Sequence, residues 1–235
     1  MNTWIWGPPT WKVLHTLSFS PRCADYATEV STFLRTLAHV LPCVFCRVSY
    51  TEYAHYLEEK SGMSLRDTIR ASALSSWMYK LHEMVNDKLN YQALNELHVD
   101  PSLITLLHKR QISLQCLTKR FIVRPIAFCD GDVWDMLKYF ALNMDNRIEK
   151  GDVQLASEHP DLLGWYTFIQ LLPLMITIAG GSPSLVRRLT KLLPLMLRRE
   201  IPFFEIVGQN CCSSTHSDDV YKLAMARECK DGSCK

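Results

Sequence analysis

The sequence predicts an all-α fold, and three observations favour it. Apolar residues recur three and four positions apart along most of the chain, which is the spacing that places them on one face of a helix. Proline residues stand where several of these runs begin or end. Strand signals are sparse, because no Asn-Gly or Asp-Gly hairpin turn lies between two alternating runs. The best strand candidate is the short run 121–123.

The first two helices are marked by proline. Pro8 and Pro9 suit the first turn of a helix beginning near Thr10, because the N–H groups of a first turn have no partner within the helix. Pro21 ends that helix, and a second is predicted over 25–41. Its apolar stripe consists of Val30, Phe33, Leu34, Leu37, Val40 and Leu41.

Three further helices follow in the first half. Pro42 ends the second helix and permits a third to start at Cys43 and to run to about Glu59. A Ser-Gly turn follows, and a fourth helix is predicted over 64–89, in one or two pieces. A short fifth helix is predicted over 94–97.

The second half of the chain, from about Pro125, shows two echoes of the first. The run DVWDMLKYFALN, 132–143, has an apolar spacing like that of WKVLHTLSFS near the N-terminus. The run FIQLLP, 168–173, echoes FLRTLAHVLP. One interpretation is a degenerate copy of the first half. The other is that Trp and Leu at helical spacing simply form core. A polar, cysteine-bearing stretch, 209–235, is expected to be a mobile tail.

Composition excludes several classes of protein and of partner. Hydrophobic residues make up 48% and charged residues 21%, the balance of a soluble globular protein. A net charge of +2 is too small for a nucleic-acid coat or a polybasic membrane binder, so no nucleic-acid partner is expected. The start MNTWIWGPPTWK has no basic region followed by an apolar core, so no signal peptide is expected. In a reducing compartment the nine cysteines are more often metal-binding or redox-active than structural.

One segment raises the question of a membrane. Residues 162–179 carry no charge, but the run is shorter than the roughly twenty apolar residues that a span requires. It also contains Gly164, Gln170 and Pro173. We therefore expect a buried core helix here, and a membrane span is the alternative.

The strongest chemical motif is a CxxC pair at a predicted helix start. Cys43 and Cys46 are followed by Arg47, and the first thiol faces backbone N–H groups that have no partner. These groups, the helix dipole and the arginine favour the thiolate, which is the nucleophile in disulfide exchange. A zinc site would need further ligands, for which His39, His55 and the tail cysteines are the candidates. No second CxxC exists, so no metal is predicted.

A second motif lies on the fourth predicted helix. His82 and Asn86 stand four residues apart and therefore share one face. Large aromatic residues accompany them, Trp77 and Tyr79 among them. A hydrogen-bonding pair beside aromatic rings suits a planar, polar ring system better than a metal ion.

The runs WGPPTWKVLH, LPCVFCRVSY and WMYKLHEMVNDKL, in this order and spacing, resemble the FAD-dependent sulfhydryl oxidases of the Erv/ALR type. The resemblance covers about Trp4 to Leu97. It implies a four-helix bundle with a short fifth helix that holds FAD, with the CxxC pair at the isoalloxazine ring. It also implies that electrons pass to dioxygen and give hydrogen peroxide.

The resemblance implies a role for each matched residue. Cys43 and Cys46 match the redox pair, with Cys43 attacked by a dithiol and Cys46 beside the flavin. The residues that match the cofactor-binding positions are Trp6, Gly7, Trp11, His15, His82, Asn86 and Lys88. Glu83 departs from the family pattern, which has Asn there, and a carboxylate is unfavourable near FAD. Cys229 and Cys234 are candidates for a shuttle pair, while Cys23, Cys116 and Cys129 are expected to be ordinary core or surface cysteines.

Several expectations complete this interpretation. The domains are expected to be 1–100, which holds the flavin, 101–208, a helical region of unknown role, and the tail 209–235. Thiol-bearing protein substrates, dioxygen and a homodimer partner are expected. Resemblance to oxidases of large DNA viruses, baculoviruses among them, implies the host cytoplasm or nucleus, viral assembly sites or virions, with the mitochondrial intermembrane space as the alternative. The rival functions are a flavin-free structural or interaction protein and a zinc-binding domain.

Overall fold

A computed structural model describes residues 3–96, 127–155 and 158–211, and the structural statements below concern these residues. The helices they form are α1 Thr3–Ser18, α2 Ala27–Val40, α3 Val44–Ser61, α4 Leu65–Arg70, α5 Leu74–Glu96, α6 Asp130–Glu149, α7 Pro160–Ile178, α8 Pro183–Arg198 and α9 Phe203–Asn210. A 3₁₀ turn, Pro21–Cys23, joins α1 to α2. The described residues contain no strand, which confirms the all-α prediction. The strand candidate 121–123 lies outside them.

The predicted start of the first helix is wrong. Helix α1 begins at Thr3, so Pro8 and Pro9 lie inside it rather than in its first turn. A proline removes the hydrogen bond to the carbonyl four residues earlier, and here only the carbonyls of Trp4 and Ile5 lose that partner. The side chain of Trp6 is buried, and its packing stabilises the first turn of α1, which the two prolines leave with fewer hydrogen bonds.

Helices α2 and α3 follow the sequence pattern closely. The members of the predicted stripe on α2 are all buried, as the spacing requires. Cys43 is the N-cap of α3, with extended backbone angles, and its carbonyl accepts the N–H groups of Cys46 and Arg47, both at 3.0 Å. The predicted third helix therefore starts where the sequence places it.

The fourth predicted helix forms in two pieces, and the short fifth helix is a wrong prediction. Ser64 caps α4 by accepting the N–H of Asp67 at 3.1 Å, and a turn at 71–73 separates α4 from α5. Helix α5 then runs without a break to Glu96, because no Gly or Pro interrupts it. Residues 94–96 are thus the last turn of α5 rather than a separate helix, and Leu97 lies outside the described residues.

The two halves of the chain share one core. Helix α1 packs along α6, and α2 packs along α7. The ring of Phe33 on α2 stacks on Phe168 of α7 with centroids 5.0 Å apart, and Phe140 of α6 lies 5.5 Å from Phe168. These three side chains are fully buried. The first half is therefore supported along two of its helices by the second.

The packing partners within the two halves correspond. Helix α1 packs on α5, α2 on α3, and α3 on α5; in the second half α6 packs on α9, α7 on α8, and α8 on α9. Where Cys43 is the N-cap of α3, Ser182 is the N-cap of α8. This correspondence is what a degenerate copy would produce, and that interpretation stays a prediction.

Helix α7 contains most of the uncharged segment. Among the described residues it is the one helix long and apolar enough to cross a membrane, with a mean hydropathy of 1.4, and half of that window is buried. Trp165 and Phe168 are fully buried, whereas Leu163 is half exposed. These contacts favour the core-helix interpretation.

Candidate functional site

The CxxC pair lies where α2 ends and α3 begins. Cys43 is 5% exposed and Cys46 is half-buried. The guanidinium of Arg47 turns back and donates to the carbonyl of Leu41 at 2.8 Å. Both cysteines therefore lie at the N-terminal end of α3, whose dipole favours a negative sulfur, with a cation nearby.

Arg47 is a partly buried cation with several charged neighbours. Burial lowers the pKa of its guanidinium, and the nearby Arg147 lowers it as well. Asp161 and the thiols of Cys43 and Cys46 raise it, which places all of them within electrostatic reach of Arg47. Arginine side chains stay protonated in proteins, so Arg47 remains a cation although burial lowers its pKa.

Three predicted cofactor residues come together between α1 and α5. The ring of His82 stacks on that of Trp11, with centroids 3.8 Å apart and planes at 10°. Nε2 of His15 and Nδ1 of His82 are 2.8 Å apart, so one imidazole donates to the other. The sequence predicted these residues singly, and the fold joins them into one cluster.

Both imidazoles of this cluster are neutral at physiological pH. Burial lowers the pKa of His15 to about 4. Burial and the neighbouring His15 lower the pKa of His82 to about 3. A neutral donor and acceptor beside an indole form a surface suited to a planar, uncharged ring.

Lys88 connects α5 to the helix that carries the CxxC pair. Its Nζ donates to Oγ of Ser49 at 2.6 Å and to the carbonyl of Phe45 at 3.3 Å. Phe45 lies between the two cysteines in sequence. Lys88 thus places a positive charge beside the first turns of α3. Asn86, another residue matched to the cofactor-binding positions, lies on α5 one turn after His82.

Glu83, which departs from the family pattern, is bonded within its own helix. The hydroxyl of Tyr79, one turn before Glu83 on α5, donates a hydrogen bond to the Glu83 carboxylate. Burial, together with the hydrogen bond and the charge of Glu83, raises the pKa of Tyr79 to about 12. The carboxylate thus has a partner of its own, which reduces the conflict expected between Glu83 and a cofactor.

Trp6 lies away from the cluster. Its indole packs edge-on against Phe140 of α6, with centroids 6.1 Å apart, and is 6% exposed. The next residue, Gly7, is buried on the same helix. The structure gives Trp6 a place in the core shared by the two halves, whereas the resemblance places it in the lead-in to a cofactor contact.

The other cysteines for which the sequence suggested a role fall into three groups. Cys23 is buried, its thiol donates to the carbonyl of Leu17 at 3.1 Å, and burial raises its pKa to about 11, as expected of a core cysteine. Cys129 is the exposed N-cap of α6. Cys116, Cys229 and Cys234 lie outside the described residues.

The zinc ligands considered from sequence have other partners. His39 bonds Asp161, and His55 pairs with Glu59 on the exposed face of α3. In the part of the chain that the structure describes, no group of three or more His, Cys, Asp or Glu could hold a metal ion.

Sequence reasoning missed the partners that hold the site together. Ser49 binds Lys88, and the pair Arg147 and Asp161 lies near Arg47. No local pattern marks them, because each contacts a residue far away in sequence. A polar residue on an otherwise apolar face, such as Ser49, is the one signal available.

Comparison with known proteins gives one match, to the first part of the chain. Residues 8–102 match the family model described as Erv1 / Alr family. The match includes the CxxC pair, the cluster of Trp11, His15 and His82, and Lys88. No curated protein and no solved structure matches the chain.

Proposed function

We propose that the chain is a FAD-dependent thiol oxidase that introduces disulfide bonds into proteins, because residues 8–102 match the Erv1 / Alr family of FAD-linked sulfhydryl oxidases. The observation that carries the proposal is the placement of the CxxC pair on α3, which Lys88 ties to the helix bearing His82. A reactive thiol pair and a neutral aromatic surface are thereby held on packed helices.

The residues present fit a flavin dinucleotide. Trp11 and His82 offer neutral ring faces, Asn86 offers an amide for a ring edge, and Lys88 is a cation suited to a phosphate. Because His82 covers one face of Trp11, the flavin ring would lie on another face of the cluster or displace His82 from the indole. When bound, FAD would accept an electron pair and deliver it to dioxygen, giving hydrogen peroxide.

The protein's own part in the reaction is thiol–disulfide exchange. A substrate thiolate attacks the sulfur of Cys43 in the Cys43–Cys46 disulfide, and the bond between the two cysteines breaks as Cys46 leaves as a thiolate. The second substrate thiolate then attacks the mixed disulfide and displaces Cys43. The substrate gains a disulfide, and the CxxC pair gains the two electrons.

The surface around the CxxC pair supports polypeptide substrates. Val44, Phe45 and Val48 are 54%, 39% and 51% exposed on the first turns of α3, beside the cysteines. Exposed apolar side chains next to a reactive disulfide suit the apolar segments of an unfolded or partly folded chain. A small, charged thiol gains nothing from such contacts.

The roles of the two cysteines can be separated by trapping. Cys43 is less exposed than Cys46, so attack at Cys43 requires the loop around Pro42 to admit a substrate sulfur. In Cys46→Ser, Cys43 can form a mixed disulfide that has no second cysteine to resolve it. A protein substrate whose thiol is already linked to thionitrobenzoate can react with the Cys43 thiolate of this variant, and thionitrobenzoate leaves as the mixed disulfide forms. We expect Cys46→Ser to accumulate this covalent adduct, and Cys43→Ser to accumulate far less. The reverse result would exchange the two roles.

The finer parts of the proposal concern partners and location. We propose that Cys229 and Cys234 relay electrons from substrates to Cys43, and that the oxidase acts as a homodimer in the reducing interior of a host cell. Deleting the tail from residue 212 should slow oxidation of a protein substrate more than oxidation of a small dithiol. Equal rates with and without the tail would remove the shuttle role.

The proposed activity is tested by oxygen consumption. Dithiothreitol and a reduced, unfolded protein are supplied as alternative substrates to the full chain loaded with FAD. Oxygen uptake that yields peroxide, and that is lost in Cys43→Ser and Cys46→Ser, supports the proposal. Oxygen uptake that persists in both cysteine variants would contradict it.

A further inference from the structure

A cluster of charged residues joins the second half of the chain to the end of α2. Nη1 of Arg147, on α6, donates to the carbonyl of His39 at 2.9 Å, and Nη2 donates to the carboxylate of Asp161 on α7. The other carboxylate oxygen of Asp161 lies 2.7 Å from Nδ1 of His39. The side chain of Arg147 is 10% exposed and that of Asp161 is 21% exposed.

The cluster is held by a close approach of two helices. A Cβ atom at Gly164 of α7 would lie 2.5 Å from Cβ of His39, so only glycine allows α7 to come this near α2. Burial alone would raise the pKa of Asp161, but the hydrogen bond with His39 and the charge of Arg147 outweigh it and bring the pKa to about 2. The carboxylate is therefore ionised at physiological pH.

The same cluster lies next to the redox pair. His39 is in the last turn of α2, and Leu41 and Pro42 are all that separate this helix from Cys43. The carbonyl of Leu41 accepts the guanidinium of Arg47 at 2.8 Å. Arg47 in turn is within electrostatic reach of Arg147, Asp161 and both thiols.

We propose that Arg147 and Asp161, both from the second half, are positioning residues for the redox pair. They fix the last turn of α2 and set the balance of charge around Arg47, Cys43 and Cys46. The second half thereby helps to set the thiol–disulfide equilibrium of the Cys43–Cys46 pair without contributing a thiol. This inference rests on the proposed function, because it takes Cys43 and Cys46 to be the redox pair.

Loss of Arg147 and loss of Asp161 should shift the thiol–disulfide equilibrium of the redox pair in opposite directions. The thiolates formed on reduction are stabilised by nearby positive charge and destabilised by nearby negative charge. Removing the charge of Arg147 leaves the Asp161 carboxylate, bonded to His39, without the arginine that neutralises it and within electrostatic reach of Arg47, which disfavours the reduced form. Removing the charge of Asp161 leaves Arg147 unneutralised, which favours the reduced form. A purely structural role would not give opposite signs.

The test is the thiol–disulfide equilibrium of the Cys43–Cys46 pair with glutathione. The full-length protein is equilibrated without oxygen in glutathione buffers, then alkylated, and the reduced fraction is read by mass spectrometry of the peptide that holds both cysteines. For Arg147→Met we expect the equilibrium to shift about fivefold towards the disulfide, and for Asp161→Asn about fivefold towards the dithiol. The double variant should return close to the wild-type value.

A matched control comes from another ion pair between the halves. Nζ of Lys12 on α1 lies 2.7 Å from the carboxylate of Asp132 on α6. Lys12→Met should leave the equilibrium within about twofold of wild type, since a partly exposed pair is worth little. Arg147→Lys keeps the charge and should also stay near wild type, which separates charge from folding.

The glutathione equilibria test the role of Arg147 and Asp161 separately from the proposed oxidase activity. Shifts of the same sign in Arg147→Met and Asp161→Asn, or a shift in Lys12→Met as large as theirs, would overturn it. If Arg147→Met does not fold, Asp161→Asn alone decides, because an equilibrium that fails to move towards the dithiol contradicts the proposal. The equilibrium needs no oxygen turnover, so it can be measured even if no oxidase activity is found.

Discussion

The imidazole of His82 lies flat against the indole of Trp11, with ring centroids 3.8 Å apart. The two residues come from α5 and α1, which are far apart in the chain, so the stack exists only in the folded bundle. The flavin proposed here would meet this stack directly. Loss of either side chain of the stack should therefore weaken the binding of the flavin ring.

Removal of the His82 imidazole should weaken flavin binding. Loss of an aromatic contact of this kind costs on the order of 1 kcal/mol, so His82→Ala should bind FAD roughly fivefold more weakly. The measurement is a fluorescence titration of flavin-free protein with FAD. The control is His55→Ala, because His55 is a 70% exposed histidine on the outside of α3. Equal affinity in both variants would show that the stack does not contact the flavin.

The pH dependence of stability should reflect the two buried imidazoles. The pKa of His15 falls to about 4 and that of His82 to about 3, while an unfolded chain titrates its histidines near 6.5. The unfolded state thus binds more protons below about pH 6.5, and the unfolding free energy falls as the pH falls. From about pH 7 to pH 5 the loss is about 2 kcal/mol for each histidine.

This dependence can be checked by urea unfolding at the two pH values. Replacing both His15 and His82 by Gln should remove most of the slope between pH 7 and pH 5, whatever it does to stability at pH 7. The carboxylate of Asp161 does not interfere, because its stabilising effect is lost only below its unfolded pKa near 4. A slope unchanged in the double variant would contradict the assignment of neutral imidazoles.

Loss of the Lys88 ammonium should affect function more than stability. Lys88 donates to Ser49 and to the carbonyl of Phe45 on α3, and we place it near a flavin phosphate. Lys88→Met should reduce both FAD affinity and turnover severalfold, while the unfolding free energy of the flavin-free protein changes by less than about 1 kcal/mol. Lys80→Met, an exposed position on the same helix, is the control. Equal FAD affinity in the two variants would remove Lys88 from the binding site.

A methyl group at Gly164 should push α7 away from α2 at the contact with His39. Its Cβ would lie 2.5 Å from that of His39, so Gly164→Ala should cost about 1–3 kcal/mol despite the better helix propensity of alanine. Gly208→Ala, in helix α9, meets nothing within 4 Å and should be neutral or stabilising. Thermal unfolding of the two variants compares them directly. Equal melting temperatures would contradict the close approach.

The sequence predicted the elements whose causes are local. The stripe on α2 and the start of α3 at Cys43 follow from apolar spacing and from Pro42, and both are confirmed. The start of α1 was wrong because Trp6 packs on the second half, and this contact outweighs the local preference of Pro8 and Pro9 for a first turn. Tertiary packing of that kind leaves no mark on the local pattern.

The site shows the same division. The motifs placed Cys43, Cys46 and His82 on the right helices, because each motif has a local spacing. The pairing of His39 with Arg147 and Asp161 joins residues more than one hundred positions apart, and a single sequence does not reveal it. The helical region after residue 127 thus had no predicted role, and the role proposed for it above rests on its contact with the end of α2.

The central claim is that the chain holds a flavin that the Cys43–Cys46 pair can reduce. The most direct measurement is the visible absorption spectrum of the purified protein, before and after a dithiol is added without oxygen. The account predicts a bound-flavin spectrum that bleaches with dithiol, returns in air, and no longer responds to dithiol in Cys46→Ser although flavin is still bound. A protein that stays colourless after FAD is added, or a flavin that bleaches equally in Cys46→Ser, would contradict it.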